Sequence, residues 1–300
     1  MPLRSMLFTP GDQPRKVEKA LADLPADAVI LDLEDAVAID RKPQTRAPVA
    51  YAVTQPRARP DAPRVFVRAN ALTTPWFFGD LNAIVAAGLD GVILPKTAGP
   101  EEVFAADAYL THLERERGLP EKSVELLPLI ESASGAASLR RLCRVAQRTA
   151  RVRRLGFGAT DFTNDIGATW TDDESQLLLV CSQLVLYSRE AGLDPPIDTV
   201  YPHFRDRDGY EARCRRSRAL GFGGRMCIHP DQIEPTNRLY APTEEEVEWA
   251  TEVIAAFEEA EKEGTAALTV RGQLVDYAFV VRARNILEQA GGAGAERAQR

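Results

Sequence analysis

Two carboxylates stand where apolar runs stop. Glu125–Glu131 (ELLPLIE) ends in Glu131 and passes into Ser-Ala-Ser-Gly, and Arg154–Asp161 (RLGFGATD) ends in Asp161. A charge at the mouth of a buried strand needs water, a counter-ion or a cation. Neither neighbourhood carries the His or Cys that zinc favours, so these oxygens suit magnesium, with manganese as the alternative. Magnesium takes one or two carboxylates and leaves positions for a substrate's oxygens. The competing reading is helix capping, since Asp161 precedes a polar Thr-Asn-Asp segment.

The other apolar runs also end in polar residues: Thr9, Glu34 with Asp35, Arg68 with Asn70, Lys96, Tyr201 and His229. Taken singly, each reads equally well as a hydrated loop group. Their recurrence at every run end points to one shared cleft. Glu34 and Asp35 crowd Asp32 in AVILDLED, which is costly without a cation or an arginine nearby. Arg68, closing Val-Phe-Val-Arg, wants a carboxylate from a ligand or from Glu34. Lys96 in LPKT stands where a Schiff-base lysine could, but a metal site makes that chemistry redundant, which leaves it electrostatic support. His229 is open between general base and structural histidine. Arg15, Lys16 and Lys19 put cations near a helix start, suited to a phosphate or to a solvated face.

The elements that must position these residues follow from the runs themselves. Met6–Pro10, Ala28–Asp35, Arg64–Asn70, Gly91–Thr97, Glu125–Glu131, Arg154–Asp161, Ile197–His203 and Arg225–Pro230 read as strands buried on both faces. Between them Pro14–Leu24, Trp76–Ala87, Pro100–Arg117, Ser134–Ala150, Asp172–Ala191 and Arg207–Leu220 carry helical spacing, and so does the proline-interrupted stretch from Ala36 to Ala52. Gly88, Gly118, Gly192 and Gly221 fall just past helix ends, where a left-handed cap is wanted. Strand alternating with helix eight times predicts a (β/α)₈ barrel over residues 1–232, with a doubly wound open sheet as the alternative. Residues 233–300 read as a helical extension. Thr243 caps an acidic helix to Glu263, a hairpin turns at Arg271-Gly272, a helix covers Phe279–Ala290, and the tail from Gly291 is expected to fray.

With 300 residues, 45% of them hydrophobic, the chain has ample apolar material for a core. Its net charge of −7 argues against a nucleic-acid surface or an anionic-membrane binder. No apolar run approaches a membrane span, and the N-terminal stretch lacks a signal peptide's order. Cys143, Cys181, Cys214 and Cys227 show neither CxxC pairing nor ligand spacing, as expected of reduced thiols in a cytoplasmic protein.

In chain order, RSMLFTPGD, VILDLEDAV, VRAN, VILPKT, LPLIESASG, GATDFTNDIG and GGRMCIHPDQ resemble the citrate lyase β-subunit-like branch of the HpcH/HpaI aldolase superfamily. That branch includes malyl-CoA and citramalyl-CoA lyases, and the resemblance runs from about Arg4 to about Leu287. It implies a barrel with a C-terminal extension that acts as a lid, a homotrimer or hexamer, and a Mg²⁺-dependent lyase cleaving a β-hydroxyacyl-CoA thioester into an acyl-CoA and a 2-oxo acid. Under it Glu131 and Asp161 are the metal ligands, Glu34 and Asp35 hold metal-bound waters, and Arg68 contacts substrate beside Glu131 and Lys96. Asp276, in Arg-Gly-Gln-Leu-Val-Asp, is then offered to a neighbouring subunit's active site. Arg4, Arg15 and Lys19 suit the phosphates of coenzyme A or the phosphopantetheine of an acyl-carrier protein. The family pattern has Gly-Lys-Trp before Ile-His-Pro; here Arg225-Met226 keeps a positive group with different geometry. A citryl-acyl-carrier-protein lyase subunit and an aldolase acting on free 2-oxo acids are the rival activities.

Overall fold

Short runs of Val, Ile and Leu have no polar face to show to water, so they are stable only as strands covered on both sides. The computed structural model describes residues 3–57, 59–262, 264–265 and 267–297. In it the runs become eight parallel strands: β1 (Ser5–Pro10), β2 (Ala28–Asp32), β3 (Arg64–Arg68), β4 (Gly91–Leu94), β5 (Glu125–Ile130), β6 (Gly156–Phe157), β7 (Ile197–Asp198) and β8 (Gly224–Cys227). They close in chain order, because β1 pairs with both β2 and β8. Closure excludes the doubly wound alternative, which needs two free edges.

Helices follow the strands: α1 (Pro14–Ala22), α2 (Lys42–Thr54), α3 (Phe77–Ile84), α4 (Pro100–Glu116), α5 (Ala133–Ala137), α6 (Leu139–Thr149), α7 (Ala159–Asp165), α8 (Leu178–Glu190) and α9 (Arg207–Leu220). Gly88, Gly118, Gly192 and Gly221 all take positive φ at the predicted helix ends. Three expectations are corrected. The helix expected over Ser134–Ala150 is broken at Ser138 into α5 and α6. The one expected from Asp172 starts only at Leu178, after a 3₁₀ turn. Asp161 is not a strand end: β6 stops at Phe157, and Asp161 lies in the first turn of α7.

Cα packing divides the chain after Asn237, five residues beyond the expected boundary. The reason is local. In α10 (Ile233–Tyr240), Tyr210 Oη and Thr236 Oγ1 share a hydrogen bond, and Asn237 accepts from Ser5 Oγ and donates to the Pro25 carbonyl, so the helix start belongs to the barrel. The second unit contains α11 (Glu244–Lys262), a hairpin of β9 (Leu268–Val270) and β10 (Gln273–Val275), and α12 (Tyr277–Arg297). Thr243 and Glu246 form the expected reciprocal capping box. Arg271 and Gly272 both take positive φ, as a two-residue hairpin turn requires. Ala250, Val253, Phe257, Val270, Val275, Val280 and Ala283 make this unit's own core. The tail from Gly291 does not fray at once; α12 continues to Arg297. Among the described residues no helix is long and apolar enough to cross a membrane.

Candidate active site

Side chains alternate across a strand, so every second residue of a barrel strand points inward. The inward set is identified by the barrel's inner cluster, which includes Met6, Ala28, Ile30, Phe66, Ile93, Leu127, Leu129, Ile197 and Met226. Two residues further along their strands stand Asp32 beyond Ile30, Arg68 beyond Phe66, Glu131 beyond Leu129 and Thr199 beyond Ile197. The apolar interior therefore changes to a polar layer at the C-terminal mouth. A cavity of about 340 Å³ opens there, lined on one side by Asp32, Asp35, Arg68, Glu131 and Asp161 and on the other by Phe8, Leu129, Val200, Met226 and Ile228. A larger cavity, about 690 Å³, lies between α1 and α2 against Val17, Leu21, Pro48 and Pro56. None of the charged mouth residues lines it, so its size does not make it the site.

Arg68 organises the acidic wall. Its Nε and Nη2 donate to the two oxygens of Asp32 at 2.8 and 2.6 Å, and Nη1 lies 3.0 Å from Glu34 Oε2. Asp32 and Arg68 are register partners on β2 and β3, which aims the fork at the carboxylate. Phe8 lies under the guanidinium, 4.6 Å from its carbon. The Lys96 ammonium donates to Glu34 Oε1 at 2.9 Å and lies 3.5 Å from Asp35. Lys96 itself sits at φ 52°, a left-handed turn that brings its own N–H to Glu131 Oε1 at 2.6 Å. Just after β6, Gly158 leaves the room that Glu131 uses: a Cβ there would lie 2.4 Å from Glu131 Oε2.

The charges are set by burial and by each other. Burial raises the Glu131 carboxyl to about 8, and nearby Glu34 and Asp161 add to the shift against the Lys96 N–H and Arg68. Burial also raises Glu34, although Arg68 and Lys96 oppose it. For Arg68 and Lys96 burial acts to lower the pKa, but their carboxylate neighbours more than offset it, so both are held firmly protonated. Ion-paired with Glu34 and close to Asp35, Lys96 is held in its charged form, which suits electrostatic support rather than Schiff-base attack.

Glu131 is 3% exposed, with Glu34 and Asp161 acting on it as like charges, and among the described residues no cation is paired directly with its carboxylate. Glu34 Oε2 is buried and faces the Arg68 guanidinium at 3.0 Å, which leaves it a lone pair to accept from a water. Glu131, Asp161 and this open acceptor offer only oxygens. Such a set fits a hard divalent ion that retains waters; among the described residues no three His, Cys, Asp or Glu cluster as the ligands of a closed metal cage.

The remaining predicted residues divide by position. Asp35 is exposed at the cavity rim. Arg15 and Lys19 are exposed on α1, which follows the C-terminal end of β1. Arg4 is not with them: it precedes β1, at the opposite end of the barrel, and its guanidinium grips Asp27 at 2.8 and 2.9 Å. Asn70 is buried and structural, held between the Lys42 ammonium at 2.7 Å and Asp80 at 2.7 Å. Tyr201 donates to Asp206, while His229 stacks on Phe204 and caps a 3₁₀ turn. Arg225 does not reach the cavity. It points outward between β8 and α9, 3.1 Å from Asp198, while Met226 faces in. Asp276 belongs to the second unit, where it is exposed and accepts from the Ala278 N–H at the start of α12.

Sequence reading missed Gly158, Thr199, Lys42 and Met226. Thr199 accepts from the Ala159 N–H at 2.9 Å and so fixes the start of α7, the helix that carries Asp161. Counting back in twos from a strand-end acid would have found Leu129 and Leu127, but in a run that is apolar on both faces nothing else marks parity.

Comparison with known proteins agrees with this fold. The profile of the HpcH/HpaI aldolase/citrate lyase family matches residues 4–230. Citrate lyase subunit beta of Leuconostoc mesenteroides subsp. cremoris is 33% identical over 289 residues, 96% of this chain and 93% of that protein. The mitochondrial citramalyl-CoA lyase of Mus musculus is 32% identical over 298 residues, 97% of this chain and 86% of that protein. Among solved structures, protein CitE from Mycobacterium tuberculosis, in complex with magnesium, acetoacetate and coenzyme A, is 29% identical. It superposes with a TM-score of 0.77 over 97% of this chain and 98% of that one.

Proposed function

The chain belongs to the HpcH/HpaI aldolase/citrate lyase family, and from that premise we propose that it is a magnesium-dependent carbon–carbon lyase. Its substrate is a β-hydroxyacyl-CoA thioester of the malyl-CoA or citramalyl-CoA type, cleaved to an acyl-CoA and a 2-oxo acid or formed from them. The observation that carries this reading is the buried Glu131, which lines the cavity together with Asp161 and Arg68.

Glu131 and Asp161 are the ligands, with Glu34 and Asp35 placed to accept from the ion's waters. Bound there, magnesium supplies Lewis acidity and a template for the oxygens of the 2-oxo acid. Arg68, clamped by Asp32, presents fixed positive charge to the cavity and stabilises the thioester enolate as the carbon–carbon bond breaks. Lys96 adds a second fixed positive charge. Asp276 of a neighbouring subunit, in a homotrimer or hexamer, takes the α-proton of the acyl-CoA in the condensing direction. Arg15 and Lys19, exposed and without ion-pair partners among the described residues, receive coenzyme A phosphates. The four cysteines, all free and buried, support a reducing, cytoplasmic setting.

The test is to incubate the purified chain and Mg²⁺ with malyl-CoA, citramalyl-CoA and free citrate, following 2-oxo acid and free thiol separately. Release of a 2-oxo acid from a CoA thioester, abolished by EDTA and restored by Mg²⁺, is the expected result. No 2-oxo acid from either thioester refutes the reading. The likeness to citrate lyase subunit beta gives the second reading, a citryl-acyl-carrier-protein lyase subunit; it predicts turnover only of the carrier-protein thioester.

A further inference from the structure

The cavity's floor differs in chemistry from its acidic wall. Gly156 opens β6, and Gly158 follows its last residue two positions on. Glu131 passes over Gly158, and the space left at Gly156 is filled from the side. A Cβ on Gly156 would lie 2.9 Å from Leu129 Cδ1, 3.0 Å from Leu127 Cδ2 and 3.8 Å from Met226 Cε. A methionine methyl and two leucine methyls therefore fill the space at Gly156, two residues before the glycine that Glu131 overlies. Met226 and Leu129 also line the cavity, with Val200 and Ile228 continuing the apolar surface upward. Met226 and Leu129 offer no hydrogen bond to a hydroxyl or a hydrated carbonyl, although Thr160 and Thr199 line the same cavity. Methionine is unbranched and adaptable, so its end sets the depth of the floor without a rigid shape.

We propose that Met226, with Leu129, forms the subsite for the alkyl substituent of the 2-oxo acid and selects a methyl-bearing, pyruvate-class acid over glyoxylate. This rests on the lyase reading, under which the oxo acid's oxygens sit at Glu131 and Asp161 and its substituent meets the floor. Met226 is then a specificity-determining residue, and the preferred thioester is the methyl-branched, citramalyl-type one.

The experiment titrates the full-length, Mg²⁺-supplemented protein with glyoxylate, pyruvate and 2-oxobutanoate by calorimetry, in wild type, Met226→Trp and Met226→Ala. In parallel it measures the ratio of kcat/KM for citramalyl-CoA over malyl-CoA. Because one methyl group in an apolar pocket is worth about 10–200-fold, wild type should bind pyruvate at least about 10-fold tighter than glyoxylate. Met226→Trp raises the floor and should cut that preference by at least about 10-fold. Met226→Ala deepens it and should shift preference toward 2-oxobutanoate, which keeps the test open if the tryptophan variant fails to fold. Preferences within about 2-fold of wild type in the alanine variant overturn the assignment and leave the lyase reading standing. A wild type that binds none of the three acids with Mg²⁺ overturns both.

Discussion

Replacing Gly158 by alanine should disable the site through Glu131 alone. The backbone at Gly158 has φ −115°, which alanine adopts freely, so the substitution adds no backbone strain. Its Cβ, however, would stand 2.4 Å from Glu131 Oε2, 2.9 Å from Glu131 Cβ and 3.4 Å from Cδ. The carboxylate cannot simply swing away, because Oε1 is held by the Lys96 N–H at 2.6 Å and the side chain is buried. Either that hydrogen bond or the packing of β5 against β6 must give. Overpacking of this kind costs about 1–3 kcal/mol. The assay is a double-mutant cycle by urea unfolding, with Gly158→Ala, Glu131→Ala and the pair. Glu131→Ala removes the 2.4 Å contact with Oε2 but keeps a Cβ at 2.9 Å, so Gly158→Ala should cost less in that background than in wild type, with a coupling of about 1 kcal/mol or more. Mg²⁺ titration of the single glycine variant should show affinity reduced by about 10-fold or more, as when the orientation of a metal ligand is disturbed. Additivity within about 0.5 kcal/mol, together with wild-type Mg²⁺ affinity, would refute the steric account.

Three other outcomes are expected. Arg68→Ala should lower kcat by about 10²–10³-fold, as for loss of an oxyanion donor; because it also strands Asp32 and Glu34, the comparison is made on protein shown to be folded, with Arg68→Lys alongside. Mixing Asp276→Ala subunits with Arg68→Ala subunits should restore part of the activity if the extension serves a neighbouring barrel, and mixtures as inactive as their parents would count against it. Away from the site, Arg151 donates to both oxygens of the buried Glu114 at 2.7 Å, and despite burial its hydrogen bonds hold Glu114 below the usual carboxylate range. A depressed pKa stabilises the fold above the unfolded value of ~4.3 and loses that contribution as pH falls through the folded value. The stability gap between wild type and Glu114→Gln in urea should therefore be full at pH 7 and shrink below about pH 4; a gap that widens on acidification would reverse the sign.

Much of this protein could be read locally. Apolar run lengths, the four positive-φ helix-ending glycines, the Thr243–Glu246 capping box and the Arg271-Gly272 turn each depend on a few neighbouring residues. The ordered motifs led to the family, and the polar residue at every run end led to the mouth of the barrel. What stayed hidden was which way each side chain points. Runs that are apolar on both faces carry no mark of parity, and a shift of one residue exchanges inside for outside. Arg225 and Met226 are adjacent, yet one pairs with Asp198 outside the strands and the other lies on the cavity floor. Arg4 and Arg15 are both basic and near the start of the chain, yet β1 runs between them and separates them onto opposite ends of the barrel. The partner of Arg68 is Asp32 because closure sets β2 and β3 in that register, and Glu131 reaches its place because a glycine follows β6 there. Residue types and their order are properties of the chain; register, parity and the space beneath a carboxylate exist only once the strands have closed.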